Sequence, residues 1–306
     1  MTSEKELRAS VIVPVRNGGA RLGELLAALE QQTIPRREFE VVIGDDGSTD
    51  GSTEQLAADA GWFRVTSGPP QNAYAARNRA AALACAPVLA FCDADCRPES
   101  TWLESGLRAL DEADVVGGLI RFVVPKRKTA WALLDIELHV DQERAIRSGN
   151  GLTGNLFVRR DTFDRAGGFD DSLPSHGDYD FVSRCVANGA RLSFAGEAVV
   201  WHPTHDRARP FLHKVWDMHW SAAIRELRAG RRPTLLTKFY IPFFGMLRSR
   251  RRIGRSFRLD RRRLSENGVE LRLLDDLRAL PIMYLLLPYV AGMARLSARR
   301  SWGPLR

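Results

Sequence analysis

The stretch VLAFCDADC, residues 88–96, sets an unbroken apolar run against two carboxylates, Asp93 and Asp95. Five apolar residues in a row read as a strand buried on both faces. Side chains alternate sides along an extended backbone, so Asp93 and Asp95, two apart, point the same way. The pattern recurs upstream, where the apolar run 39–43 precedes Asp45-Asp46-Gly-Ser-Thr-Asp50, and downstream, where Asp178-Tyr-Asp180 enters an amphipathic stretch. Carboxylates at the carboxyl ends of buried strands face the crevice in which open α/β sheets bind ligands. Three such marks within about one domain's length of chain imply one polyanionic, cation-bridged ligand, most simply a nucleoside diphosphate.

Around these marks the periodicity predicts strands at 10–15, 39–43, 63–66 and 88–92, alternating with helices at 21–32, 50–60 and 73–85. That alternation implies a mostly parallel sheet with helices on both faces. The next region is less regular: helices over 102–110, 130–146 and 179–188, a helical turn at 161–165, and strands at 115–124, 155–158, 191–194 and 198–201. Beyond residue 206 the grammar changes. A long basic helix is predicted over 207–229, then an apolar run at 239–247, an arginine-dense stretch at 248–263, and an uncharged run at 279–294 interrupted by Pro281 and Pro288. The last run is shorter than the roughly 18–20 residues of a spanning helix, which predicts a helix lying in the membrane interface.

Composition is that of a globular protein, with 44% hydrophobic and 27% charged residues, and its charge is unevenly spread. Residues 1–206 hold 22 Lys+Arg against 30 Asp+Glu, whereas residues 207–306 hold 23 against 7, a net of +16. Such a basic segment prefers an anionic surface. The sequence therefore divides into a catalytic domain over 1–206 and a basic helical tail over 207–306. The first ten residues lack the basic-then-apolar pattern of a signal peptide. The four cysteines lack paired zinc spacing or a disulfide framework, and reduced thiols are expected. Cys92 and Cys96 flank the acidic pair, but cations that bridge phosphates prefer hard oxygen ligands.

Taken in order, VIVPVRN, GDDGSTDGS, YAARNRA, CDADCRP, GNLFVRRDTFDRAGGFDDSL, GDYDFVSR and VVWHP make the first 206 residues resemble the family 2 glycosyltransferases, inverting enzymes of the GT-A fold. The resemblance does not extend to the basic tail. It implies transfer of a sugar from a nucleoside-diphosphate sugar, with UDP the commonest nucleotide. The acidic pair is then the DxD motif, with Asp93, Ala94 and Asp95 at the donor and Asp95 as direct ligand of a Mg2+ or Mn2+ ion. Asp45 and Asp46 fall where the family holds the base and ribose, with Pro14, Arg16 and Asn17 beside them and Arg77 facing base or phosphate. Gly154 and Asn155 begin the segment lining the sugar cleft, and Phe169 offers an aromatic face to a sugar. His202 matches a histidine near the metal, with His205 as the alternative.

Asp178 stands at the family's catalytic base, which removes the acceptor's proton. The family usually writes that site Glu-Asp, and here Gly177 replaces the glutamate. Asp180 is expected to face a neighbouring arginine. The tail implies an anionic membrane partner at the cytoplasmic face, and with it a lipid-linked or cell-envelope glycan acceptor. Two other readings compete. A metal-dependent nucleotidyltransferase would want a glycine-rich, lysine-bearing first loop, which VIVPVRNGGA is not. A nucleic-acid-binding protein would explain the arginines, but the tail carries no recognised module and its arginines adjoin apolar runs, so no nucleic acid is expected.

Overall fold

The computed structural model describes residues 7–54, 62–138, 141–233, 261–270 and 273–301. The apolar run 239–247 and the arginines at 248–258 lie outside them, as does most of the helix expected at 50–60. The chain forms two compact units, one of Met1–Arg121 with Val140–Pro203, the other of Phe122–His139 with Thr204–Arg306.

An eight-stranded sheet runs β3-β2-β1-β4-β7-β6-β8-β5. In chain order its strands are β1 (Ala9–Val15), β2 (Phe39–Asp45), β3 (Phe63–Ser67), β4 (Val88–Cys92), β5 (Arg97–Pro98), β6 (Val115–Val123), β7 (Asn155–Arg159) and β8 (Leu192–Pro203). The helices are α1 (Gly19–Glu30), α2 (Ala73–Leu83), α3 (Trp102–Ala109), α4 (Ala130–Leu138), α5 (Gln142–Arg147), α6 (Arg160–Ala166), α7 (Gly177–Ala187), α8 (Ala208–Arg228), α9 (Arg261–Glu266), α10 (Leu273–Pro281) and α11 (Leu287–Ser301).

β3, β2, β1 and β4 pair in parallel, as strand–helix alternation dictates. β7 then pairs antiparallel with both β4 and β6, and β5 with β8, so the sheet is mixed. The change follows from the irregular segment after β4, which returns the chain without a simple helical crossover. β1, β2 and β4 are buried almost throughout, and Leu22, Leu25, Leu26 and Leu29 of α1 are buried at helical spacing. A core of Ile12, Val42, Phe91, Leu156, Phe163 and Phe181 joins the sheet to α2, α6 and α7.

Two sequence expectations change. The helix over 130–146 is two helices, because the Asp141 side chain accepts a hydrogen bond from the Arg144 N–H and caps a new start. The strands at 191–194 and 198–201 are one strand, β8, running through Gly196.

Two local features place α2. The Asn72 side chain caps α2 by accepting from the N–H groups of Tyr74 (2.9 Å) and Ala75 (3.1 Å), fixing where that helix begins. Gly44 lets it lie close to β2, since a Cβ there would stand 2.2 Å from the Ala76 carbonyl oxygen.

Within the second unit, Asp135 of α4 is fully buried. It accepts from Lys214 Nζ (2.7 Å) and from the backbone N–H (2.9 Å) and Nδ1 (3.1 Å) of His205. Burial alone would raise its pKa; the His205 hydrogen bonds and the Lys214 charge overcome that and hold the carboxyl far below the usual range. α10, a π-helical turn at Ile282–Leu286 and α11 follow one another along the uncharged run. Ala279, Leu287 and Ala291 are buried, whereas Leu277, Leu285 and Tyr289, each two residues earlier, are exposed, as is Met293. Two residues turn a helix by about 200°, so one side is packed and the other is bare. Among the described residues no helix is long and apolar enough to cross a membrane.

Candidate functional site

The three acidic marks do different work. Asp45 closes β2, and its carboxylate accepts from Ser48 N–H (3.0 Å), Ser48 Oγ (2.6 Å) and Thr53 Oγ1 (3.3 Å). It thus builds the Asp-Gly-Ser-Thr turn. Asn17, in the left-handed region at φ 55°, is zipped to that turn: its N–H donates to Ser48 Oγ (2.9 Å) and its Oδ1 accepts from Thr49 N–H (2.8 Å). Asp46 is held by Gln71 N–H (2.9 Å) and stands 3.5 Å from Arg79, a residue not singled out from the sequence. Pro14 is buried within β1 and Arg16 is exposed just beyond it.

Asp93, Ala94 and Asp95 form a turn closed by the Cys96 N–H donating to the Asp93 carbonyl at 3.0 Å. Arg77, buried on α2, ion-pairs with Asp93. Its Nε is buried without a hydrogen-bond partner. Asp95 lies 3.6 Å from Arg21 and 3.9 Å from Nε2 of His202. His202 Nδ1 is 2.6 Å from the Pro203 carbonyl, which can only accept, so Nδ1 carries the proton and the Nε2 edge turns toward Asp95. Carboxylate oxygens and an imidazole nitrogen converging in this way make a donor set that fits a divalent cation. His205, the alternative ligand, is engaged instead with Asp135 in the second unit. The Cys96 thiol is pushed up by its hydrogen bond with Cys92, by burial and by both carboxylates.

Asp178 sits in the first turn of α7, directly after Gly177 and the left-handed His176. Its Oδ1 accepts from the Tyr179 N–H at 2.9 Å and from the Tyr74 hydroxyl at 3.4 Å. Burial pushes its pKa up, while the Tyr179 N–H and the Arg77 charge pull the other way. Arg77 thus acts on both Asp93 and Asp178. Tyr74 and Arg77 are three apart on α2, the guanidinium 5.3 Å from the centre of the tyrosine ring. The helical spacing in YAARNRA carried the signal for Tyr74, since it shares a face with Arg77.

Gly177 has a physical explanation. A Cβ there would lie 2.8 Å from two carbons of the Tyr74 ring, so that ring occupies the space a glutamate would need. Asp180 pairs with Arg184 at 2.8 Å, and Arg184 also donates to the Ala166 and Gly168 carbonyls.

Gly154 lies beside the acidic turn, whereas Asn155 and Phe169 are buried in packing and hydrogen-bond contacts. A Cβ on Gly154 would stand 3.3 Å from Asp93 Oδ2, so its backbone lines the acidic turn. Asn155 is fully buried: its Oδ1 accepts from Trp102 Nε1 (2.8 Å) and its amide donates to the Leu119 (2.9 Å) and Ala198 (2.8 Å) carbonyls. It braces the sheet beneath the site. Phe169 is buried among Tyr74, Phe91, Phe163 and Phe181, which corrects its reading as a sugar-stacking face.

Residues 10–168 match the model of a family described as Glycosyl transferase family 2. The glycosyltransferase AglE of Haloferax volcanii is 34% identical over 209 residues, covering 66% of this chain and 67% of AglE. Among solved structures, residues 1–349 of S. aureus TarS superpose with a TM-score of 0.55 at 19% identity, over 97% of this chain and 91% of that one. The mannosyltransferase PcManGT from Pyrobaculum calidifontis, solved in complex with GDP-Man and Mn2+, gives a TM-score of 0.56 at 17% identity, over 99% and 77%. At these identities the structural likenesses speak to fold.

Proposed function

Since the chain belongs to the family 2 glycosyltransferases and has the GT-A fold, we propose that it moves a sugar from a nucleoside-diphosphate sugar to an acceptor hydroxyl with inversion at the anomeric carbon. The observation that carries the reading is a buried carboxylate of raised pKa, Asp178, coupled through one arginine to the acidic turn. Asp178 takes the acceptor's proton as the acceptor oxygen bonds to the anomeric carbon. The bond to the diphosphate breaks on the opposite face, and its electron pair leaves on the phosphate oxygen. A carboxylate whose pKa is raised toward the working pH is a stronger general base than a solvated one. Tyr74 orients that carboxylate, and Arg77 limits the rise in its pKa so that it is ionised when needed.

Asp95 and His202, with Asp93 beside them, would hold a Mg2+ or Mn2+ ion. That ion would offset the charge gathering on the leaving diphosphate. The GDP-Man and Mn2+ in the mannosyltransferase neighbour support both a nucleotide-sugar donor and a cation. Asp46, flanked by Arg79, is suited to an imide N–H such as uracil's or to ribose hydroxyls, and UDP is the nucleotide we assign. Pro14 near the end of β1, Arg16 just beyond it, and Asn17 and Asp45 of the adjoining turn frame that pocket, while Gly154 lines the acidic turn on the sugar side.

The acceptor in this reading is a lipid-linked or cell-envelope glycan met at the cytoplasmic face of a membrane. Support comes from the +16 net charge of residues 207–306 and the bare apolar side of α10 and α11. The test of the donor half is calorimetry of nucleoside diphosphates with Mn2+, with EDTA, and with Asp95→Ala. Binding that needs the metal and is lost in Asp95→Ala supports the assignment; equal affinity in EDTA rejects it.

A further inference from the structure

The antiparallel ladder of β5 on β8 has a consequence for the acidic turn. Arg97 faces Trp201 and Pro98 faces Val200, so the same register sets Cys96 opposite His202. The turn closed by the Cys96 N–H brings Asp93 alongside. Ligand atoms of Asp93, Cys96 and His202 consequently lie within 4.8 Å of one another. A carboxylate, a thiol and an imidazole are thus gathered by backbone pairing, in a place where the sulfur is shielded from water and the other two are partly open.

We propose that Asp93, Cys96 and His202 form a binding site for a zinc-class divalent cation, sharing two residues with the oxygen-rich position assigned above to Mg2+ or Mn2+ and excluding an ion there. The proposal rests on the reading of Asp93 and His202 as cation ligands and adds the sulfur to it. Zinc takes Cys, His and carboxylate ligands in tetrahedral sites, whereas Mg2+ and Mn2+ favour oxygen. With zinc–ligand bonds of about 2.0–2.3 Å, tetrahedral ligand atoms stand roughly 3.3–3.8 Å apart. Closing the present separation by about 1 Å is within the reach of side-chain torsions. A fourth position would fall to Asp95, whose Oδ1 is already 3.9 Å from His202 Nε2, or to a donor phosphate oxygen. The shared ligands make the two ions competitors, so zinc would displace Mn2+ from the donor site.

Cobalt reports the sulfur directly. Titrated with Co2+, the full chain is expected to develop a near-ultraviolet thiolate-to-cobalt charge-transfer band. The band should vanish in Cys96→Ser and persist in Cys85→Ser and Cys92→Ser. Followed by the electron paramagnetic resonance of Mn2+, zinc should release bound Mn2+ from the wild type. Cys96→Ser should weaken zinc by roughly tenfold or more while changing Mn2+ affinity little, because only the softer ion uses sulfur. If Cys96→Ser does not fold, X-ray absorption of the zinc-loaded wild type decides: a sulfur neighbour at about 2.3 Å supports the site. A shell of oxygen and nitrogen alone, or a cobalt band that follows Cys85 or Cys92, overturns it. Mn2+ binding without any sulfur signature overturns this inference and leaves the proposed function standing; failure to bind either ion overturns both.

Discussion

Replacing Gly177 with alanine tests whether Tyr74 explains the missing glutamate. The added Cβ would meet ring carbons at 2.8, 2.8 and 3.0 Å, against the 3.5–4.0 Å of an ordinary carbon contact. Tyr74 is buried, its ring 5.7 Å from Phe169 on one side and 5.3 Å from the Arg77 guanidinium on another, so it has little room to retreat. Overpacking of this kind costs about 1–3 kcal/mol. Alanine's better helix propensity returns at most about 1 kcal/mol, and less in a first turn, so destabilisation wins. The expected result is a lower melting temperature, by about 2–4 °C per kcal/mol, with a fall in transfer because the displaced ring carries its hydroxyl away from Asp178. Gly177→Glu should be worse, and Tyr74→Ala in the same chain should recover much of the stability by emptying the space. Thermal melts and a transfer assay on the two single variants and the double give the coupling. A Gly177→Ala protein with wild-type melting and transfer, or a double variant showing simple additivity, refutes the account.

Asp178→Asn should retain donor binding and lose transfer by roughly a hundredfold or more, read by calorimetry beside a turnover assay. In the wild type, transfer should fall as pH drops through the raised Asp178 pKa. The stability sign is opposite to the usual carboxylate case. A carboxyl whose folded pKa lies above its unfolded value stabilises the protonated native form, and that contribution is lost as pH rises through the folded pKa. Asp178→Asn should therefore melt higher than wild type at neutral pH, and a lower melting point there would refute burial as the cause. Asp135→Asn should cost the second unit about 3–5 kcal/mol at neutral pH, because Lys214 loses the partner of a buried pair. The Asp135 pKa is depressed, so its stabilisation is present above the unfolded pKa and fades as pH falls below it; melts against pH should show the variant's deficit shrinking in acid. Exchanging Leu285, Tyr289 and Met293 for serine should reduce sedimentation with anionic vesicles at least tenfold without altering the melt; unchanged sedimentation would remove the apolar face from the membrane reading.

What was legible in the sequence was what periodicity and short motifs encode. Apolar runs gave the four parallel strands, because strand burial is a local property, whereas the extended backbone expected at Asp93 and Asp95 is instead a turn closed by the Cys96 N–H on the Asp93 carbonyl. β5 escaped notice because two residues carry no period, and its existence depends on β8, about a hundred residues away. That pairing sets Cys96 beside His202, so their nearness came only with the fold, although the sequence already set Cys96 beside the acidic pair. The break between α4 and α5 lay in one capping aspartate within an otherwise helix-like stretch. Asn155 and Phe169 were read from motif position, and motif position does not say whether a side chain points at the cleft or into the core. Tyr74 was half legible: its face was given by helical spacing, its partner Asp178 only by the fold.

One turn of α2 acts as a gauge. Tyr74 and Arg77 are separated by an axial rise of about 4.5 Å, and each meets a different carboxylate, Asp178 and Asp93. The proposed proton acceptor and the acidic turn are therefore referenced to the same stretch of α2, whose rise per residue is set by peptide geometry. Surrounding loops can drift to suit another sugar or another acceptor while this interval keeps its value. A single residue inserted between the two would rotate one by about 100° relative to the other. Both carboxylates would then lose their common reference in one step, a failure no change in the loops could repair.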